Sequence, residues 1–120
     1  MGYRIDFAVR DDTVAAIVSG RTSSAAAAGS IAADIAEAAR REAGKKVLID
    51  LRRLRDRVGS LRALLLSRDG RAAARRVAVV DIRENDPYYV FHELAARGGG
   101  CELRYFDDAG EALDWLHEAR

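Results

Sequence analysis

Tyr3, Ile5, Phe7 and Val9 alternate with Arg4, Asp6 and Ala8. A period of two predicts a β-strand with one buried face. The polar Arg10-Asp11-Asp12 separates it from a second apolar run, Thr13 to Ser19, and so short a connection predicts an antiparallel hairpin. Gly20 breaks that run. Thr22-Ser23-Ser24 then sets up the N-terminus of a long alanine-rich helix in which Ile31 and Ile35 lie one turn apart, ending near Gly44. Val47, Leu48, Ile49 and Leu51 form a nearly continuous apolar strand interrupted by Asp50, the composition of a central strand covered on both faces.

An arginine-rich loop is expected next. Ser60 can cap a short helix through Leu61, Leu64 and Leu65, and a further strand runs from Val77 to Ile82. Asp86-Pro87 is a helix start, an N-cap followed by proline in the first turn, and Gly98-Gly99-Gly100 ends that helix after Val90, Phe91 and Leu94. A strand from Cys101 to Phe106 leads through Asp107-Asp108-Ala109-Gly110 into a last helix with Trp115 and Leu116 on its apolar stripe. Strands alternating with helices after an opening hairpin give an α/β fold: a mixed five-stranded sheet, its hairpin antiparallel and the remainder parallel, covered by four helices. With 120 residues, the expectation is a single domain spanning 1–120.

Hydrophobic content of 49% with 32% charged residues is ordinary for a folded soluble protein. No basic start with an apolar run marks a signal peptide, and no apolar stretch is long enough to cross a bilayer. A cytoplasmic protein is expected, and the lone Cys101 fits a reducing compartment. Gly2 is not followed by a myristoylation pattern, because position 6 is Asp6.

The order of elements resembles the STAS superfamily and, within it, the small bacterial SpoIIAA-like group also described as STAS/SEC14-like. The residues that carry the resemblance are Val47-Leu48-Ile49-Asp50-Leu51, Arg76-Val77-Ala78-Val79-Val80, and Arg104-Tyr105-Phe106-Asp107 leading into Ala112-Leu113-Asp114-Trp115-Leu116. In anti-sigma factor antagonists of that superfamily a serine in the loop after the central strand is phosphorylated, which switches docking onto a kinase or anti-sigma partner. The resemblance makes Ser60 the candidate phosphoacceptor. A phosphate there would meet a helix N-terminus, with Arg57 and Arg62 able to pair with it. The sequence departs from the family's aspartate and tandem serines by having Val58-Gly59-Ser60-Leu61, and capping the helix is a sufficient role for Ser60.

Charge is distributed unevenly behind a net +1. From Arg52 to Arg76 nine arginines face two aspartates, whereas from Val77 onward four arginines face ten carboxylates. Such a dipolar surface suits an acidic partner, anionic lipid heads or nucleic acid, or else the two segments neutralise each other within the fold or across a contact between two copies. Nucleic acid is disfavoured, since the net charge is small and aromatics do not interleave with the arginines. The carboxylate of Asp50 invites comparison with a phosphoacceptor receiver domain. However, Asp81 to Arg83 and Phe106-Asp107 stand where a receiver needs a hydroxyl residue and a lysine, so Asp50 is read as orienting the loop that follows.

His92 and His117 lack metal-ligand spacing, Gly20 to Ser24 lacks the P-loop glycine and lysine pattern, and Cys101 has no basic neighbour to activate it. No acid, base and nucleophile set can be assembled, so neither an enzyme nor a cofactor is expected. The reading is a regulatory domain that binds a partner protein or itself, with Arg52, Arg53, Arg55 and Arg57 and the aromatic edge of Tyr88, Tyr89 and Phe91 as its surfaces. The rival reading is a small lipid or amphiphile carrier of the SEC14-like type.

Overall fold

The strands β1 (Tyr3–Arg10) and β2 (Thr13–Arg21) form the expected hairpin, with Tyr3 opposite Gly20 and Arg10 opposite Thr13. The computed structural model describes residues 2–10, 12–21, 25–41, 46–55, 76–82 and 102–118. The further elements are α1 (Ala25–Arg41), β3 (Lys46–Arg55), β4 (Arg76–Val80), β5 (Glu102–Phe106) and α2 (Ala109–Leu116). The sheet order is β1-β2-β3-β4-β5, antiparallel between β1 and β2 and parallel elsewhere. That is the mixed sheet the apolar pattern predicts. Of the four expected helices, α1 and α2 are seen, and those expected after Ser60 and Asp86 lie outside the described residues.

The two central strands are buried on both sides, which is why Val47-Leu48-Ile49 and Val77-Ala78-Val79-Val80 show no alternation with polar residues. Val47, Ile49, Val77, Val79, Leu103 and Tyr105 share one face with Ile31, Ile35 and Ala39 of α1. Leu48, Ala78 and Val80 share the other with Ala112, Trp115 and Leu116 of α2. Ala39 joins Ile31 and Ile35 in the contact with the sheet, and its neighbours Ala36 and Ala38 are also almost fully buried.

The short helix α2 is held at both ends. Asp108 is its N-cap and accepts from the Glu111 amide at 2.9 Å, with Glu111 at the third helical position as in a capping box. At the other end the carbonyl of Trp115 accepts from the Glu118 amide at 3.2 Å and from the Arg76 guanidinium. The Arg76 guanidinium also lies 4.3 Å from the centroid of the Trp115 ring and donates to Glu102 at 2.9 Å. Phe106 packs against the same indole at 5.7 Å between centroids. One arginine thus ties β4, β5 and α2 together.

Two expectations change. The first strand is not buried along one face: Tyr3 and Ile5 pack on the α1-side core, but Phe7 is 41% and Val9 47% exposed, because they sit on the outermost strand beyond that contact. Gly20 does not end the second strand. It has φ near +100° within it, and a Cβ there would lie 2.2 Å from the Gly2 carbonyl oxygen. This close approach lets the Arg21 amide donate to Gly2 and close the open end of the hairpin.

Replacing Gly20 with alanine is expected to lower folding stability by about 2 kcal/mol or more through backbone strain and the Gly2 contact, read as a shifted urea midpoint with unchanged slope. Arg76→Ala is expected to cost about 2 kcal/mol. Because Trp115 is the single tryptophan, its emission should move to longer wavelength as water reaches the ring, whereas unchanged emission would count against the clamp.

Candidate interaction surface

Ile17 of β2 pairs with Asp50 of β3, yet Ser19 pairs with Arg53, so Leu51 and Arg52 together oppose Val18. This is a β-bulge, one extra residue inserted into β3. It resets the phase of the strand. Leu51 and Leu54, three apart, both enter the α1-side core, which strict alternation forbids. The residues expected to begin an arginine-rich loop therefore belong to the strand: Arg52, Arg53 and Arg55 are exposed positions of β3. The chain continues as a strand because the bulge returns Leu54 to the core and leaves the arginines in water.

Asp50 organises the bulge. Its Oδ1 accepts from the Arg52 amide at 3.1 Å and from Arg52 Nε at 3.0 Å, while Oδ2 accepts from the Arg52 Nη2 at 2.8 Å. The amide displaced by the bulge and a two-pronged guanidinium are thus satisfied by one carboxylate. Burial pushes the Asp50 carboxyl up, but the bonds from Arg52 and the charges of Arg52 and Arg53 together outweigh it and hold the group below the ordinary value of 3.8. The same pairing raises Arg52, with a longer-range attraction from Asp108. Asp50 therefore orients Arg52 inside the strand, not the loop expected after it.

Paired residues in neighbouring strands point to the same face. Ser19 opposite Arg53 and Arg21 opposite Arg55 therefore place Arg53 and Arg55 on the α2 side of the sheet with Arg21. Arg4, opposite Ser19, joins them from β1. The helix itself packs on β3, β4 and β5, reaching β2 through Ala15 and through Thr13, whose hydroxyl lies 3.5 Å from His117 Nε2. Beyond that contact none of the described helices covers this face at the carboxyl-terminal end of β2 and β3, and Arg4, Arg21, Arg52, Arg53 and Arg55 are all exposed there. Arg4 is paired with Asp6 at 3.0 Å and Arg52 with Asp50. Among the described residues Arg53 and Arg55 have no ion-pair partner. The result is an arginine-rich sheet face in which, among the described residues, Arg53 and Arg55 make no close ion pair, Arg53 acting on Asp50 only at longer range.

The remaining candidates separate. Ser60, Arg57, Tyr88, Tyr89, Phe91, His92 and Cys101 lie outside the described residues. His117 is exposed and forms the C-cap of α2. Among the described residues no cluster of three or more His, Cys, Asp or Glu side chains could hold a metal ion, and no helix is long and apolar enough to cross a membrane. Arg4 and Arg21 were invisible as members of the arginine surface, because only strand register brings positions so far apart in the chain onto one face.

No protein-family model matches the chain, and no curated protein matches it in sequence. Solved structures do. An anti-sigma factor antagonist from Mycobacterium paratuberculosis superposes with a TM-score of 0.68 at 15% identity, over 98% of this chain and 96% of that one. The chain has the SpoIIAA-like fold. An uncharacterised DUF3478 protein from Shewanella loihica PV-4, itself described as having that fold, superposes with a TM-score of 0.61 at 22% identity, over 96% and 94% of the two chains. The SpoIIAA-like sheet here carries its distinctive charge on the open end of β2 and β3.

Because the Asp50 carboxyl is depressed in the folded protein, its contribution to stability is present above the ordinary aspartate range and is lost as pH falls through the folded value. Arg52→Ala is expected to cost about 1–2 kcal/mol at pH 7, where it leaves a buried carboxylate without its guanidinium, discounted because Arg52 itself is partly exposed. That cost should shrink below about pH 4, as Asp50 protonates. Urea unfolding of both proteins across this range checks the sign.

Proposed function

We propose that the protein is a non-enzymatic regulatory domain that docks an acidic surface of a partner protein on the open arginine face of its sheet. The observation that carries this reading is the pair Arg53 and Arg55, exposed, without ion partners among the described residues, and flanked by Arg4, Arg21 and Arg52. Unpaired guanidinium groups on a rigid strand suit carboxylate recognition: the planar fork is preorganised, and the strand fixes its spacing. The likeness of the fold to an anti-sigma factor antagonist supports a role in which one protein acts on another without chemistry. The arginine-rich stretch from Arg57 and the aromatic residues Tyr88, Tyr89 and Phe91 extend the proposal as further contact residues, and Ser60 is its candidate phosphoacceptor.

Arg53→Glu combined with Arg55→Glu is the direct test. Both side chains are exposed, so the fold should survive, at a cost of about 1 kcal/mol from the lost attraction between Arg53 and Asp50. Affinity purification from the native cell followed by native mass spectrometry should show a protein partner with the wild type that is lost with the double variant and weakened by salt. A partner retained equally by both proteins, or retained lipid in place of protein, overturns the reading.

A further inference from the structure

The strand β1 is an open edge of the sheet, and its hydrogen-bonding groups divide cleanly. The Arg21 amide donates to the Gly2 carbonyl, so even-numbered positions of β1 direct their backbone groups toward β2. In an antiparallel pair the alternate residues turn theirs outward. The outward amides and carbonyls are those of Tyr3, Ile5, Phe7 and Val9. None of them has a hydrogen-bond partner beyond the β1–β2 ladder among the described residues. Phe7 and Val9 are also among the exposed large hydrophobic residues of the described chain, at 41% and 47%.

Charged side chains on an edge strand ordinarily discourage pairing, unless charges of opposite sign come to face each other across the new contact. This edge carries charges of both signs on one face: Arg4, Asp6 and Arg10. We infer that β1 pairs antiparallel with β1 of a second copy, joining two sheets into a continuous ten-stranded sheet about a two-fold axis through Ala8. The proposal is separate from the arginine face and does not depend on it. Only registers that place odd residues opposite odd residues can use the outward groups. Centring the axis on Asp6 would set Asp6 against its copy, and centring it on Phe7 would set Arg4 against Arg10.

Centring it on Ala8 sets Asp6 against Arg10 twice and Phe7 against Val9 twice. Cross-strand opposite charges and aromatic–aliphatic pairs both stabilise a sheet. Arg4 already has Asp6 beside it within its own strand, whereas Arg10 has no ion-pair partner among the described residues. A register centred on Ile5 would also oppose Arg4 and Asp6, but it would leave Arg10 unmatched and Val9 near the end of the pairing. The Ala8 register covers both exposed apolar residues and matches the remaining charge. An open groove of about 300 Å³ between β1 and α1, lined by Tyr3, Ile5, Phe7, Asp34, Glu37 and Arg41, adjoins the joined strands and leaves room for the Phe7 rings.

Sedimentation equilibrium and amide exchange on the full chain decide the matter. The wild type should show a species of twice the 13.1 kDa chain mass, with the Phe7 and Val9 amides protected although they have no partner among the described residues of the monomer. Asp6→Arg and Arg10→Asp should each weaken the dimer at least about tenfold, equivalent to about 1.4 kcal/mol, and expose those amides. The exchange of charges in Asp6→Arg with Arg10→Asp should restore both. A wild type that stays monomeric into the millimolar range, or a dimer that the single variants leave intact, overturns the proposal. So does a double variant that remains monomeric while folded. A monomer that still loses its acidic partner on Arg53→Glu with Arg55→Glu would reject this dimer alone and leave the arginine face standing.

Discussion

Strands β3 and β4 must be covered on both faces, and the rest of the structure answers that demand. Ile49, Ala78, Val79 and Val80 are at most 1% exposed, and over residues 47–49 and 77–80 no polar face remains that water could solvate. On one face their side chains cluster with Ile31, Ile35 and Ala39 of α1, and on the other with Ala112, Trp115 and Leu116 of α2. A helix of eight residues has little stability alone. It persists here because Asp108 satisfies its first turn, the His117 and Glu118 amides and Arg76 supply donors to its last carbonyls, and Trp115 anchors its last turn against Phe106 and Arg76.

Where that double cover ends, the central strand changes character. Asp50 is the last residue of β3 paired to β4 and still sits against the core. A buried carboxylate requires a charged or multiply bonded partner. Arg52 supplies it two residues on, and the bulge brings its amide and guanidinium to the same carboxylate. The same irregularity turns Arg53 and Arg55 toward the open sheet face while returning Leu54 to the core. Structural necessity at Asp50 and a cationic surface beside it thus share one origin. At the opposite side of the sheet, β1 meets the opposite condition: its neighbour covers one edge only, and its apolar residues outrun the reach of α1.

Much of this was legible along the chain. Alternation in Tyr3 to Val9, the unbroken apolar runs at Val47 and Val77, and the Asp108 to Glu111 start of the last helix each report a local period or a local cap. The extent of β3 was not legible. Leu51-Arg52-Arg53-Leu54 breaks both periods, and only a bulge reconciles it with a strand. The exposure of Phe7 and Val9 was hidden for a different reason: alternation states which residues share a face, not whether anything lies over it. Arg4 and Arg21 joined the arginine surface through ladder register, a relation between segments that no single segment records.

The sequence by itself determined the five strands, the first and last helices and the mixed character of the sheet, because hydrophobic period and capping residues act over a few neighbours. Tertiary structure alone decided that Arg76 would seal α2, that Asp50 and Arg52 would close a bulge, and that arginines from three strands would meet on one open face. Those outcomes depend on strand register and on which surfaces the helices reach. Both are fixed only when distant segments compete for the same core.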